Sequence, residues 1–163
     1  MCETKSQIAD TVVEAFSLIW DMYTEAIETI PEEHWRRGDI DYLIPARQVY
    51  HVLEAADFYS GSEAEGFKWG YRFNADWEKA QPEKLPTQEE MIEYHDEMME
   101  KVGGWLRGMG ISDLLSREDE FTWTGSTVLG RALYLLAHYR QHMGEINAEL
   151  RRRGLPRIKW KTY

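Results

Sequence analysis

One long helical pattern near the C-terminus constrains this chain more than any other feature. Over residues 126–154, Val128, Leu129, Ala132, Leu136, Met143, Ile146 and Leu150 fall on a single face at about 100° per residue, which predicts one amphipathic helix with a broad core-facing stripe. Such a helix spans roughly 40 Å, and Gly154, followed two residues later by Pro156, supplies its stop. His138 and His142 lie on the flank of that stripe, with Arg131, Tyr134, Glu145 and Glu149. Four residues apart, the two imidazoles rise from one face with Cβ atoms about 6 Å apart. That spacing suits two ligands to one metal ion, with positions left for another element and for water or substrate. Two solvated surface histidines satisfy the same spacing, so a metal site needs a third ligand from elsewhere.

Three further helical patterns precede it. Ile8, Val12, Phe16, Ile19, Tyr23, Ile27 and Ile30 step by three or four, predicting a helix over 5–30 that Pro31 ends. A second helix is expected over 45–60, with Pro45 in its first turn and Gly61 after it. Its stripe Ile44, Gln48, His51, Ala55 and Phe58 turns His51 toward other helices, as a ligand or as a buried hydrogen-bonded histidine. Thr87-x-x-Glu90 has the form of a capping box and opens a third helix over 87–107. Met91, His95, Met98, Val102 and Trp105 form the inner stripe of that helix, so His95 competes with His51 as a third ligand or is a satisfied core residue.

The connections carry weaker signals. Residues 31–45 read as a linking stretch with a short turn, and His34 within it as a surface residue. Residues 61–86 hold Phe67, Trp69, Tyr71 and Phe73 in alternation, with Trp77 beyond. On an extended segment the four alternating rings share one side, as a lid over an open bundle end or as a plug that completes the core, and both predict burial. Residues 108–125 are a polar connection interrupted by Leu114, Leu115, Phe121 and Trp123.

At 163 residues, 43% of them hydrophobic, the chain suits a single all-α domain over 1–163, a four-helix bundle with long connections. A formal charge of −10 argues against nucleic-acid or anionic-membrane partners. The charge is uneven: six basic residues and no acid occupy 151–163, leaving −16 on residues 1–150. The basic cluster reads as charge complementing a helix C-terminus. Cys2 is the single cysteine and is assigned no role; with no intramolecular disulfide possible and no apolar leader or membrane-length run, the expected location is the cytoplasm.

The first helix ending in I-P-E-E, the second with V-Y-H-V-L-E-A-A-D-F-Y, and the fourth with H-Y-R-Q-H-M-G-E-I-N-A-E-L-R-R-R-G-L-P together resemble the DinB-like superfamily of four-helix proteins. The resemblance implies a divalent metal held by one histidine of the second helix and the H-x-x-x-H pair of the fourth, here His51, His138 and His142. Gly144 fits the glycine that often follows the pair, whereas Glu145 stands where glutamine is frequent. The ion is expected to be zinc or nickel, with iron or copper also suited to three imidazoles. A homodimer and a small-molecule substrate are further expectations from the resemblance.

Members of that family include thiol transferases using mycothiol or bacillithiol, which implies a metal-dependent transferase or hydrolase, with a thiol cofactor as one form. Glu54, Tyr134 and Glu145 are the candidates for proton handling or for orienting a ligand histidine. Two readings stand beside it. One is a non-catalytic, metal- and ligand-binding stress protein of the same fold. The other is a dinuclear carboxylate bundle, prompted by His51-x-x-Glu54 and His142-x-x-Glu145, although that class uses Glu-x-x-His in the opposite order.

Overall fold

The computed structural model describes residues 7–163, so Cys2 and the expected start of the first helix at Lys5 lie outside the described residues. Six α-helices form there: α1 (Gln7–Thr29), α2 (Glu32–Trp35), α3 (Pro45–Tyr59), α4 (Gln88–Arg107), α5 (Ile111–Leu114) and α6 (Val128–Arg152). No strand is present among the described residues beyond an isolated bridge between Arg117 and Thr127, and no helix is long and apolar enough to cross a membrane.

Local chemistry sets the helix ends. Thr87 Oγ1 accepts from Glu90 N while a Glu90 carboxylate oxygen accepts from Thr87 N at 2.8 Å, so the expected capping box opens α4. Thr127 Oγ1 caps α6 by accepting from Gly130 N at 3.1 Å. At the other end of α6, Gly154 takes φ +71°, and Leu155 N reaches back to Leu150 O at 2.8 Å while Gly154 N bonds Arg151 O at 3.0 Å. This pairing satisfies carbonyls that a helix end would otherwise leave open.

The four longer helices close a ring, with α1 packed against α4 and α6, and α3 against the same two. Phe16, Tyr23, Leu53, Tyr94, Val102, Leu135, Tyr139 and Ile146 are fully buried between them. Each such side chain contributes about 1.5–3 kcal/mol through removal from water. The most enclosed element is α3. Instead of two apolar edges it is buried all round, including Arg47, Gln48, Glu54 and Asp57, and within it His51 alone keeps partial exposure.

The connection 61–86 departs from expectation. It is a succession of turns rather than an extended run, with Gly66 (φ +84°), Gly70 (φ +81°) and Asn74 (φ +50°) in left-handed conformations. Gly70 is required there, because a Cβ would sit 2.8 Å from the Ala75 carbonyl oxygen. These reversals scatter the alternating rings instead of aligning them. Phe67 and Trp69 pack on Phe58, with ring centroids 5.3 and 5.1 Å away, while Phe73 lies between Tyr50 and Tyr94. Trp69 (46%) and Tyr71 (54%) stay exposed, so the common burial shared by lid and plug does not occur.

Candidate metal centre

His51 on α3 faces His138 and His142 on α6. The three rings form a near-equilateral cluster, with centroids 4.9 Å apart for His51–His138, 4.8 Å for His51–His142 and 4.5 Å for His138–His142. The two helices run antiparallel here: Gln48 meets His142, His51 meets both histidines, and Tyr59 meets Tyr134. The cluster therefore occupies a seam in which each helix presents one continuous face to the other. One potential ligand atom from each histidine lies within 4.8 Å of the other two.

The protonation chemistry suits ligation. Burial, reinforced by the neighbouring imidazoles, pushes His51 down to about 3 from 6.5. Burial lowers His138 and His142 to about 4 each. All three rings are thus neutral near pH 7, the form that offers a lone pair to a metal. His51 Nδ1 and His138 Nε2 are buried without a hydrogen-bond partner. Buried polar atoms left unpaired cost about 1–3 kcal/mol each, so two of them within one histidine group leave ring nitrogens available to a partner other than the chain itself. A tetrahedral zinc ion with Zn–N bonds near 2.0–2.1 Å needs nitrogens about 3.4 Å apart. The ligand atoms, within 4.8 Å of one another, come from three neutral imidazoles on two helices, a donor set that suits a divalent transition ion, so the group could hold one.

Two elements outside the helix pair shape the surroundings. The Trp77 ring packs on His51 with centroids 3.8 Å apart, and Tyr42 packs edge-on against Trp77 at 6.2 Å. Arg47, 1% exposed, sets this arrangement from within α3. Its guanidinium donates to the carbonyl oxygens of Trp77 and Ala80 and pairs with Asp41 Oδ1 at 3.0 Å. One buried cation thereby ties the 61–86 connection and the turn Asp41–Leu43 to the helix that carries His51. In the other direction along the seam, Tyr134 packs on Tyr59 at 5.3 Å, and Trp123 Nε1 donates to the Tyr59 hydroxyl at 3.1 Å.

The candidate proton-handling residues go to different places. Glu145 Oε2 lies 2.8 Å from His142 Nδ1, beside the cluster, and its pKa is raised by burial. Glu54 is fully buried but serves the connection, with Oε1 accepting from Gly70 N at 2.5 Å. Burial raises Glu54 to about 7. Tyr134 is 39% exposed and sits one turn before His138. Neither His34 nor His95 joins the group. His34 is partly exposed in α2, and His95 is buried against α1, its Nε2 3.1 Å from the Trp20 carbonyl oxygen.

Sequence reasoning missed Gln48 and Arg47 as parts of the site, and it set Trp77 in the lid-or-plug segment without linking it to His51. The available signal for Gln48 was a polar residue on an otherwise core-facing stripe, one turn before His51. Arg47 and Trp77 act across thirty residues of chain and left no local pattern. No family model matches this chain, and no curated protein or solved structure does so either.

Proposed function

We propose that this chain is a DinB-like four-helix bundle that binds one divalent transition metal ion through His51, His138 and His142 and uses it as a transferase or hydrolase on a small-molecule electrophile. The observation that carries this reading is the convergence of three neutral imidazoles from two antiparallel helices, with unpartnered ring nitrogens, at the one point where α3 is not sealed. Zinc or nickel suits such a donor set, and iron or copper is compatible with it. When bound, an ion of this kind lowers the pKa of coordinated water to about 7 or holds a cofactor thiol as thiolate, supplying a nucleophile at neutral pH.

The protein's own groups then divide the remaining work. Partial exposure of His51 leaves an approach for a small molecule, Trp77 restricts water over that ring, and Glu145 beside His142 is placed to accept or return a proton. Glu54, committed to the Gly70 amide, is less suited to that task. The same commitment speaks against a dinuclear carboxylate site, which needs Glu54 as a ligand.

Elemental analysis of protein purified without chelators tests the metal, with about one ion per chain expected and none in a variant lacking all three histidines. Two ions per chain would favour the carboxylate reading instead. Thiol-dependent turnover of a model electrophile, lost in His142→Ala, tests the chemistry. One bound ion with no turnover of any electrophile supplied would leave a ligand-binding protein of the same fold.

A further inference from the structure

Gln48 lies one turn before His51 and is wholly buried. Its amide bridges two groups: Nε2 is 2.5 Å from the Tyr42 carbonyl oxygen, and Oε1 is 2.6 Å from His142 Nδ1. A carbonyl oxygen can only accept, so the amide end facing Tyr42 has to be the NH2 group. The reversed amide would set two acceptor oxygens 2.5 Å apart with no water to separate them. Oε1 therefore faces the imidazole, and only a donor satisfies it. The hydrogen of the neutral ring must sit on Nδ1, which leaves the lone pair on Nε2.

The anchor of this relay is itself held. Arg47 donates to the Asp41 carbonyl oxygen at 3.2 Å and pairs with the Asp41 carboxylate at 3.0 Å, fixing the turn that presents the Tyr42 carbonyl. Glu145 Oε2 lies 2.8 Å from the same Nδ1 but makes no hydrogen bond there, so Gln48 Oε1 is the acceptor that Nδ1 meets. Gln48 is dry, and a hydrogen bond there constrains orientation more strongly than one at the surface.

We propose that Gln48 is a positioning residue that locks His142 in its Nδ1–H tautomer, so that Nε2 of His142 is the atom offered to a divalent cation, with the turn Asp41–Leu43 as the anchor that sets the amide. This rests on the metal reading above for its purpose, and on the hydrogen-bond geometry alone for the tautomer. Partners of this kind typically change metal affinity 10- to 100-fold when removed.

The test uses 15N-labelled full-length protein. Long-range 1H–15N correlation of the imidazoles in metal-free protein at pH 7.5 is expected to show His142 as a single Nδ1–H tautomer. Gln48→Met, of similar length but without an acceptor, should give a mixture of tautomers and a 10- to 100-fold loss of zinc affinity in competition with a chromogenic chelator. Gln48→Glu, buried and so held as the neutral acid, replaces both bonds, its hydroxyl donating to the Tyr42 carbonyl oxygen and its carbonyl oxygen accepting from Nδ1, and should return both the tautomer and the affinity to within a few-fold of the parent.

An Nε2–H tautomer in the parent protein would overturn the proposal. So would a Gln48→Met variant with unchanged tautomer ratio and zinc affinity within twofold, or a Gln48→Glu variant as weak as Gln48→Met, which would assign Gln48 to packing. The two readings fail separately: an intact tautomer without zinc uptake is the failure of the metal site, and zinc uptake without a fixed tautomer is the failure of the relay.

Discussion

Two seams of this molecule bury histidines, and they do so to opposite ends. Between α1 and α4, His95 is fully buried with its Nε2 3.1 Å from the Trp20 carbonyl oxygen and 3.2 Å from Thr24 Oγ1, and the Tyr23 ring lies 6.3 Å away. Between α3 and α6, three histidines are gathered, and two of them keep a buried nitrogen with no partner at all. Desolvation lowers the pKa of His95 to about 4, much as it does for the cluster. Burial and a perturbed pKa therefore do not separate a structural histidine from a ligand. Nor does an unpaired nitrogen, since His95 Nδ1 is buried without a partner as well; the separating property is that three imidazoles converge on one point between α3 and α6, whereas His95 stands alone against fixed groups of α1.

That contrast is broken most decisively by exchanging the losses. Removing His142 by His142→Ala should reduce zinc affinity more than 100-fold, measured by chelator competition, because two imidazoles cannot replace three. In the parent protein, free zinc at 100 times its dissociation constant should stabilise the fold by about 2.7 kcal/mol, and the variant should lose that response. His95→Ala should do the reverse. It leaves a cavity and breaks a buried hydrogen bond, lowering stability by about 2–4 kcal/mol and the melting temperature by about 10 °C, with zinc stoichiometry unchanged. If His95→Ala also abolished zinc uptake, the division between the seams would be wrong.

The sequence could not have drawn this division unaided. His51 and His95 both occupy apolar stripes at three-and-four spacing, and no local pattern says which stripe meets α6. The ends of the helices were legible because they are local: the Thr87–Glu90 box and Gly154 act within a few residues of chain. So was the spacing of His138 and His142. What escaped was made by distant contacts. Arg47 was unremarkable until its guanidinium reached the carbonyls of Trp77 and Ala80, and the Gln48 amide had no role until Tyr42 and His142 stood at its two ends. The alternating rings of 67–73 suggested an extended run because alternation is the strand signature, but Gly70 and Asn74 take φ values that reverse the chain. Nor could composition reveal that α3 is buried all round, since Arg47, Glu54 and Asp57 within it are residue types that usually face water.

Glu54 sharpens the comparison through pH. Its pKa is raised to about 7 from 4.5, so between those values the folded chain holds a proton that the unfolded chain has released. Stability from this group is present below about pH 4.5 and is lost as pH rises toward 7. His95 and the cluster run the other way. Their lowered pKa values mean that the unfolded chain binds protons first, so stability is lost as pH falls from 6.5 toward 4. Glu54→Gln keeps an acceptor for the Gly70 amide and should stabilise the protein by on the order of 2 kcal/mol at pH 8, with little change at pH 4. Urea unfolding at the two pH values checks this. An equal gain at both would mean that the carboxylate charge is not what limits stability.

The smallest effect is expected at Trp77, and it bears on whether the cover over His51 belongs to the site or only borders it. Arg47 holds Trp77 through the backbone carbonyl, so Trp77→Ala removes the ring without releasing the connection from α3. The ring makes no polar contact with the imidazoles; it packs on His51 at 3.8 Å and limits water there. Its loss should change nickel affinity by no more than about threefold, within the range that one partly exposed apolar contact contributes. Nickel release should be faster, because water gains access to His51. Tryptophan fluorescence reports the same point: quenching by nickel should be largely lost in Trp77→Ala, since this indole stacks directly on a candidate ligand. A 10- to 100-fold loss of affinity would instead show that the ring fixes His51 as firmly as Gln48 is proposed to fix His142.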